Sequence, residues 1–189
     1  MAETAAVLFD RLITIMRTLR SPEGCPWDRQ QTLASLRPYL LEETYEALDA
    51  LDADRDAAIS EELGDLLFEI VFLAQIGAEA GRFTIAEALE SITQKLVRRH
   101  PHVFGDAPRI ATAEEVPGRW EAMKAAERAG ADQSHGILGG VPASLPALLR
   151  AYELGSRAAS VGFDWDRASD VMAKIEEEVA ELRAEVTNP

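Results

Sequence analysis

Val7, Leu8, Leu12, Ile15, Met16 and Leu19 recur at the three- and four-residue spacing of one helix face, so the chain opens with a predicted helix over about Glu3 to Leu19. Two prolines and a glycine in the next stretch, Ser21 to Asp28, predict a loop that carries Trp27. There the tryptophan either plugs one end of a core or offers a face for a base to stack on. A second helix is predicted from Leu33–Ser35 to about Leu51, with Pro38 tolerable in its first turn. A third opens at Asp56 or Ser60, runs to about Ala80 and stops at Gly81. Thr84 followed by Glu87 reads as a capping box. It opens a fourth helix whose stripe of Ile85, Ala88, Leu89, Ile92 and Leu96 is expected to be buried. A fifth is predicted from about Thr112 to Arg128. Residues 130–142, rich in glycine, form a candidate linker, and further helices are predicted over Ala143–Arg157 and Ala168–Val186. The pattern is all-α.

Polar residues interrupt this pattern most sharply inside the second and third helices. Glu42, Glu43 and Glu46 share a helix face through their three- and four-residue spacings, and Glu62 and Asp65 repeat the arrangement on the next helix. The run Asp52 to Asp56 can turn the chain and lay the two helices antiparallel, so that the acids converge between Leu40, Leu41, Tyr45 and Leu48 on one side and Leu63, Leu66, Leu67, Ile70 and Val71 on the other. Two carboxylates about 4 Å apart repel by on the order of 4 kcal/mol at an effective dielectric of roughly 20. A hard divalent cation with all-oxygen ligands, Mg²⁺ or Mn²⁺, would relieve this. One such acid pair alone is usually a solvated face; two on consecutive apolar helices favour a metal.

Lys95, Arg98 and Arg99 make the densest cationic cluster of the chain, with Lys95 and Arg99 on one face. They read as phosphate-binding prongs or as favourable charge at a helix C-terminus. Trp120 and Lys124, also four apart, either hold a base and a phosphate or simply pack on each other. His100 and His102 flank a proline with no cysteine near them, a weak zinc signal.

The net charge of −14 argues against general binding to nucleic acid or anionic membranes. A single cysteine, Cys25, fits a reducing cytosol, and a cytoplasmic protein without signal peptide or membrane span is expected. At 189 residues the chain suits one sizeable domain, or a small domain with an appendage. An internal echo supports the second option: Trp27-Asp28 precedes Glu42-Glu-x-x-Glu46, and Trp165-Asp166 precedes Glu177-Glu-x-x-Glu181. No second Glu-x-x-Asp follows, so the C-terminal acids are expected to be a structural or solvated remnant.

The sequence contains no Walker-type loop, dinucleotide fingerprint, His-Glu-x-x-His or Gly-x-Ser-x-Gly, and none of the Glu-x-x-His pairs of a di-iron bundle. All-oxygen ligation points instead to phosphate chemistry. Cys25-Pro-Trp-Asp28, Leu36 to Glu46, Glu62 to Phe68, Lys95 to Phe104 and Val161-Gly-Phe-Asp-Trp165 together resemble the MazG nucleoside triphosphate pyrophosphohydrolases, of the all-α NTP pyrophosphatase superfamily. The resemblance covers nearly the whole chain.

It implies an antiparallel four-helix-bundle-like fold completed by dimerisation, and hydrolysis of an NTP or dNTP at the α-phosphorus to a nucleoside monophosphate and pyrophosphate in nucleotide-pool housecleaning. By the same resemblance Glu43, Glu46, Glu62 and Asp65 are metal ligands and Glu42 a ligand or the water-orienting base. Lys95, Arg98, Arg99, Trp120, Lys124 and Trp27 are the candidate substrate-binding residues. Residues 1–129 would be a complete domain, 130–142 a linker and 143–189 the start of a second repeat. The competing expectation is a non-catalytic acidic helical dimer that binds a nucleotide or a protein partner as a regulator.

Overall fold

A computed structural model describes residues 3–108, 112, 113, 116, 136 and 138–187. The chain divides into two compact units, Met1–Arg109 and Ile110–Pro189. All regular elements among the described residues are helical.

The first unit contains α1 (Ala5–Leu19), α2 (Pro26–Gln30), α3 (Arg37–Asp52), α4 (Asp56–Glu79), α5 (Ile85–Arg99) and α6 (Pro101–Phe104). The Thr4 hydroxyl caps α1 by accepting from the Val7 N–H. Pro38 sits in the first turn of α3, where its missing N–H has no helical partner to lose. Ala53, Asp54 and Arg55 reverse the chain between α3 and α4; Asp54 takes the left-handed conformation (φ 51°), which aspartate tolerates better than branched or bulky residues do. The φ of +63° at Gly81 ends the long α4 run. Thr84 and Glu87 then form the expected capping box at the start of α5.

α3 packs most extensively on α4, and α1 covers another side of α4. The core cluster is Met16, Leu36, Val71, Phe72 and Ile76, with Phe9, Leu12, Ile13, Leu33, Phe68 and Leu73 packed around it. It therefore joins α1, the segment before α3 and the C-terminal half of α4. Arg20, its side chain 8% exposed, locks the edge of this core. Its guanidinium donates to both Glu79 carboxylate oxygens and to the carbonyls of Asp28 and Gln31, and lies 5.6 Å from the centre of the Phe72 ring. One side chain thus ties α1, α2 and α4 together.

Two expectations are corrected. Trp27 lies on α2 rather than in a loop, because Pro26 occupies the first helical position, where its fixed φ favours a helical turn. At 48% exposed, with its ring edge-to-face with Tyr39 at 5.7 Å, it is not a plug. The apolar stripe of α5 is not buried either: Leu89, Ile92 and Leu96 are 44–46% exposed. The helical period is present, but no described element of the first unit buries that face.

The second unit contains α7 (Ala147–Ala159) and α8 (Ala168–Thr187). The Arg157 guanidinium donates to the Gly139 carbonyl. The predicted helix 112–128 and linker 130–142 lie largely outside the described residues, and Trp120 and Lys124 wholly so.

Candidate metal centre

Antiparallel packing of α3 on α4 brings the two acidic motifs together. A carboxylate oxygen from each of Glu43, Glu62 and Asp65 can be chosen so that all three lie within 4.8 Å of one another. Glu43 and Glu62 are half-buried and Asp65 is exposed. Glu46 belongs to the same electrostatic group, acting on both Glu43 and Glu62, while Glu42 acts on Glu43. The helix pair therefore brings Glu43, Glu62 and Asp65 together, while Glu42 and Glu46 are exposed and stand outside this group of three.

These neighbours disfavour negative charge on Glu43 and Glu62. The Glu43 carboxyl is raised above the usual 4.5, by burial first and then by Glu46, Asp65, Glu62 and Glu42. Glu62 is raised by burial first and then by Glu46, Asp65 and Glu61. A third acid, passed over in the sequence because it stands within an apolar run, behaves in the same way. Glu69 is only 5% exposed, and it is raised by burial and then by Glu43. Its signal was present in the spacing, four residues beyond Asp65 and seven beyond Glu62.

Such a group fits a hard divalent cation: the donors are all carboxylate oxygens, they converge within a few ångströms, and Glu43 and Glu62 are raised by burial and by the acids around them. The C-terminal acids are arranged otherwise. Lys174 reaches Glu177 at 2.9 Å and Glu178 at 3.2 Å along their own helix, and these contacts push the lysine up to about 12. A lysine thus already accompanies the second Glu-Glu-x-x-Glu motif.

The raised carboxyls fix the sign of a pH effect. Above 4.5, and up to the raised values, the folded state holds more protons than the unfolded chain, so these groups lower stability as pH rises through that window. Glu79 acts in the opposite sense below it. The Arg20 hydrogen bonds hold its carboxyl down, against the effect of burial, so its contribution is lost as pH falls through the lowered value. Thermal melts in chelator are expected to show a Tm that declines above pH 4.5, and Mg²⁺ to raise Tm by an amount that grows with pH. A Mg²⁺ increment independent of pH would contradict this.

Lys95, Arg98 and Arg99 are carried on the last turns of α5, with Lys95 and Arg99 partly buried and Arg98 exposed. They stand on a different element from the carboxylates. Trp27, on α2, forms an exposed aromatic pair with Tyr39 near the start of α3, the helix that carries Glu42, Glu43 and Glu46.

Helices that present convergent acids without histidine or cysteine define an all-α, carboxylate-type centre. Residues 31–104, which include all of these acids, match the MazG nucleotide pyrophosphohydrolase domain. The nucleoside triphosphate pyrophosphohydrolase of Escherichia coli K12 is 50% identical over 177 residues, covering 93% of this chain and 66% of that protein. The nucleoside triphosphate pyrophosphohydrolase/pyrophosphatase MazG of Thermotoga maritima is 46% identical over 179 residues, 95% of this chain and 68% of that one. A crystal structure of a mazG-related protein from Thermotoga maritima aligns with a TM-score of 0.51 at 26% identity, over 61% of this chain and 98% of that chain. The chain belongs to the MazG family. It spans about two thirds of the length of these relatives.

Proposed function

We propose that this chain hydrolyses nucleoside triphosphates, NTP or dNTP, at the α-phosphorus with Mg²⁺ as cofactor. The observation that carries this reading is the convergence of Glu43, Glu62 and Asp65 on two antiparallel helices within the MazG domain. Glu43, Glu46, Glu62 and Asp65 would hold the cation, and Mn²⁺ suits the same oxygen donors. When bound, the cation neutralises the triphosphate and polarises the phosphoryl group under attack.

The chain's own residues supply position and proton transfer. Glu42, on the solvent side of the cluster, is either a further ligand or the base that takes a proton from the attacking water. Water adds to the α-phosphorus, the bond to the bridging oxygen breaks, and a nucleoside monophosphate and pyrophosphate leave. Lys95, Arg98 and Arg99 would neutralise phosphate oxygens, Trp27 and Trp120 would offer faces to the base, and Lys124 would touch a phosphate. Nucleotide-pool housecleaning in the cytoplasm is the role that goes with this chemistry. Among the described residues, no helix is long and apolar enough to cross a membrane.

The working unit in this reading is a homodimer. The exposed stripe Leu89, Ile92 and Leu96 of α5, with Leu41, Tyr45 and Leu48 of α3 and Leu63, Leu67 and Ile70 of α4, offers apolar surface to a second copy. We assign residues 1–129 to a complete pyrophosphohydrolase domain, 130–142 to a linker and 143–189 to the start of a second repeat, on the strength of the Trp165-Asp166 and Glu177-Glu178-x-x-Glu181 echo.

The test is release of pyrophosphate from a panel of canonical and modified NTPs and dNTPs. Turnover is expected with Mg²⁺, none in excess EDTA, and recovery when Mg²⁺ is restored. Turnover that persists in chelator would overturn the metal chemistry. Nucleotide binding without any release would favour a regulator.

A further inference from the structure

Glu69 is the one described side chain with a fully buried polar atom that has no hydrogen-bond partner: its Oε2 is orphaned. A buried carboxylate oxygen is normally satisfied, and one that is not calls for a missing partner. Its place on α4 says where that partner belongs. Around a helix of 3.6 residues per turn, Glu62, Asp65 and Glu69 fall within about 60° of one another, and Glu69 lies about 6 Å along the axis beyond Asp65. Helical side chains lean towards the N-terminus of their helix, which for Glu69 means back towards Asp65. Among the described residues Glu43, on the facing helix, is the one charged group that acts on Glu69, and it is also a member of the convergent acid group. Glu69, 5% exposed, thus stands on the α4 face that carries Glu62 and Asp65, about one turn beyond Asp65 on its buried side.

We infer that Glu69 is a further member of the divalent-cation centre: a buried positioning carboxylate whose orphaned Oε2 is completed, directly or through one water, when the cation binds between α3 and α4. This rests on the metal reading given above. Groups directly behind the ligands of a metal typically change its affinity by roughly 10- to 100-fold when they are replaced. A residue buried merely for packing would give a different signature. Its isosteric, uncharged replacement would leave cation affinity alone, because the volume is kept and the buried charge is gone.

The experiment compares wild-type protein with Glu69→Gln and Glu69→Met, using Mn²⁺ titrations followed by electron paramagnetic resonance, alongside thermal melts in chelator. Asp65→Asn serves as the reference for loss of the site. Both Glu69 variants are expected to bind Mn²⁺ at least tenfold more weakly than wild type, while their Tm in chelator equals or exceeds that of wild type. Mn²⁺ affinity within twofold of wild type in Glu69→Gln overturns the inference and leaves the metal centre standing. So does weaker binding that appears only together with a lowered Tm in both variants, which would mark a packing role. Wild-type protein that takes up no Mn²⁺ overturns the metal centre itself and this inference with it.

Discussion

Asp65→Ala is expected to lower pyrophosphate release by roughly a thousandfold or more, equivalent to about 4 kcal/mol of transition-state stabilisation. Asp65 is the exposed member of the three carboxylates whose oxygens approach within 4.8 Å, so alanine removes a donor without opening a hole in the core. The same substitution removes a negative charge that raises both Glu43 and Glu62. In chelator the variant should therefore melt no earlier than wild type, and it should lose most of the Tm gain that Mg²⁺ gives. These opposite signs separate a lost ligand from a lost fold. Wild-type turnover in Asp65→Ala would remove the residue from the site.

For the homodimer proposed above, Ile92→Asp is expected to shift the protein to monomer across the concentration range in which that association would be seen. Ile92 is the middle residue of the α5 stripe, between Leu89 and Leu96. An unpaired carboxylate placed inside an apolar interface costs about 3 kcal/mol or more, enough to weaken association by roughly a hundredfold. Analytical ultracentrifugation over a concentration series reads this directly. Within the chain Ile92 is 44% exposed, so the monomer should keep its helical circular dichroism. An unchanged sedimentation coefficient in Ile92→Asp would place the contact on another face.

The α5 stripe also shows what periodicity can and cannot convey. Spacing identified the face correctly, and the Thr84–Glu87 box fixed where the helix begins, because both are local properties. Which body covers the face is not local, and the expected burial is not found among the described residues. The acids were legible for the same reason as the cap: two short spacings and a turn suffice to bring Glu43, Glu62 and Asp65 together. Glu69 carried a matching spacing but was passed over, because one glutamate in an apolar run looks the same whether it points to solvent or to the helix opposite. Only the packed pair distinguishes the two. Trp27 failed through a competition between signals, since Pro26 reads equally as a loop residue and as the first residue of a helix.

The turn of Ala53, Asp54 and Arg55 carries a consequence for how such a site can change. It sets which turn of α3 lies beside which turn of α4, and hence that Glu43 meets Asp65 and Glu62. One residue added within α4 between Asp65 and Val71 would rotate Glu62 and Asp65 by about 100° relative to the core residues Val71, Phe72 and Ile76 and shift them by about 1.5 Å, carrying both acids away from Glu43 while leaving every one of them in the sequence. Glycine at position 54 would instead relax a left-handed residue and keep the register. The turn is thus tolerant of composition, whereas the stretch of α4 between the acids and the core is intolerant of length, so a chain that retained both acidic motifs with one more residue in that stretch would carry the signature of this centre without its geometry.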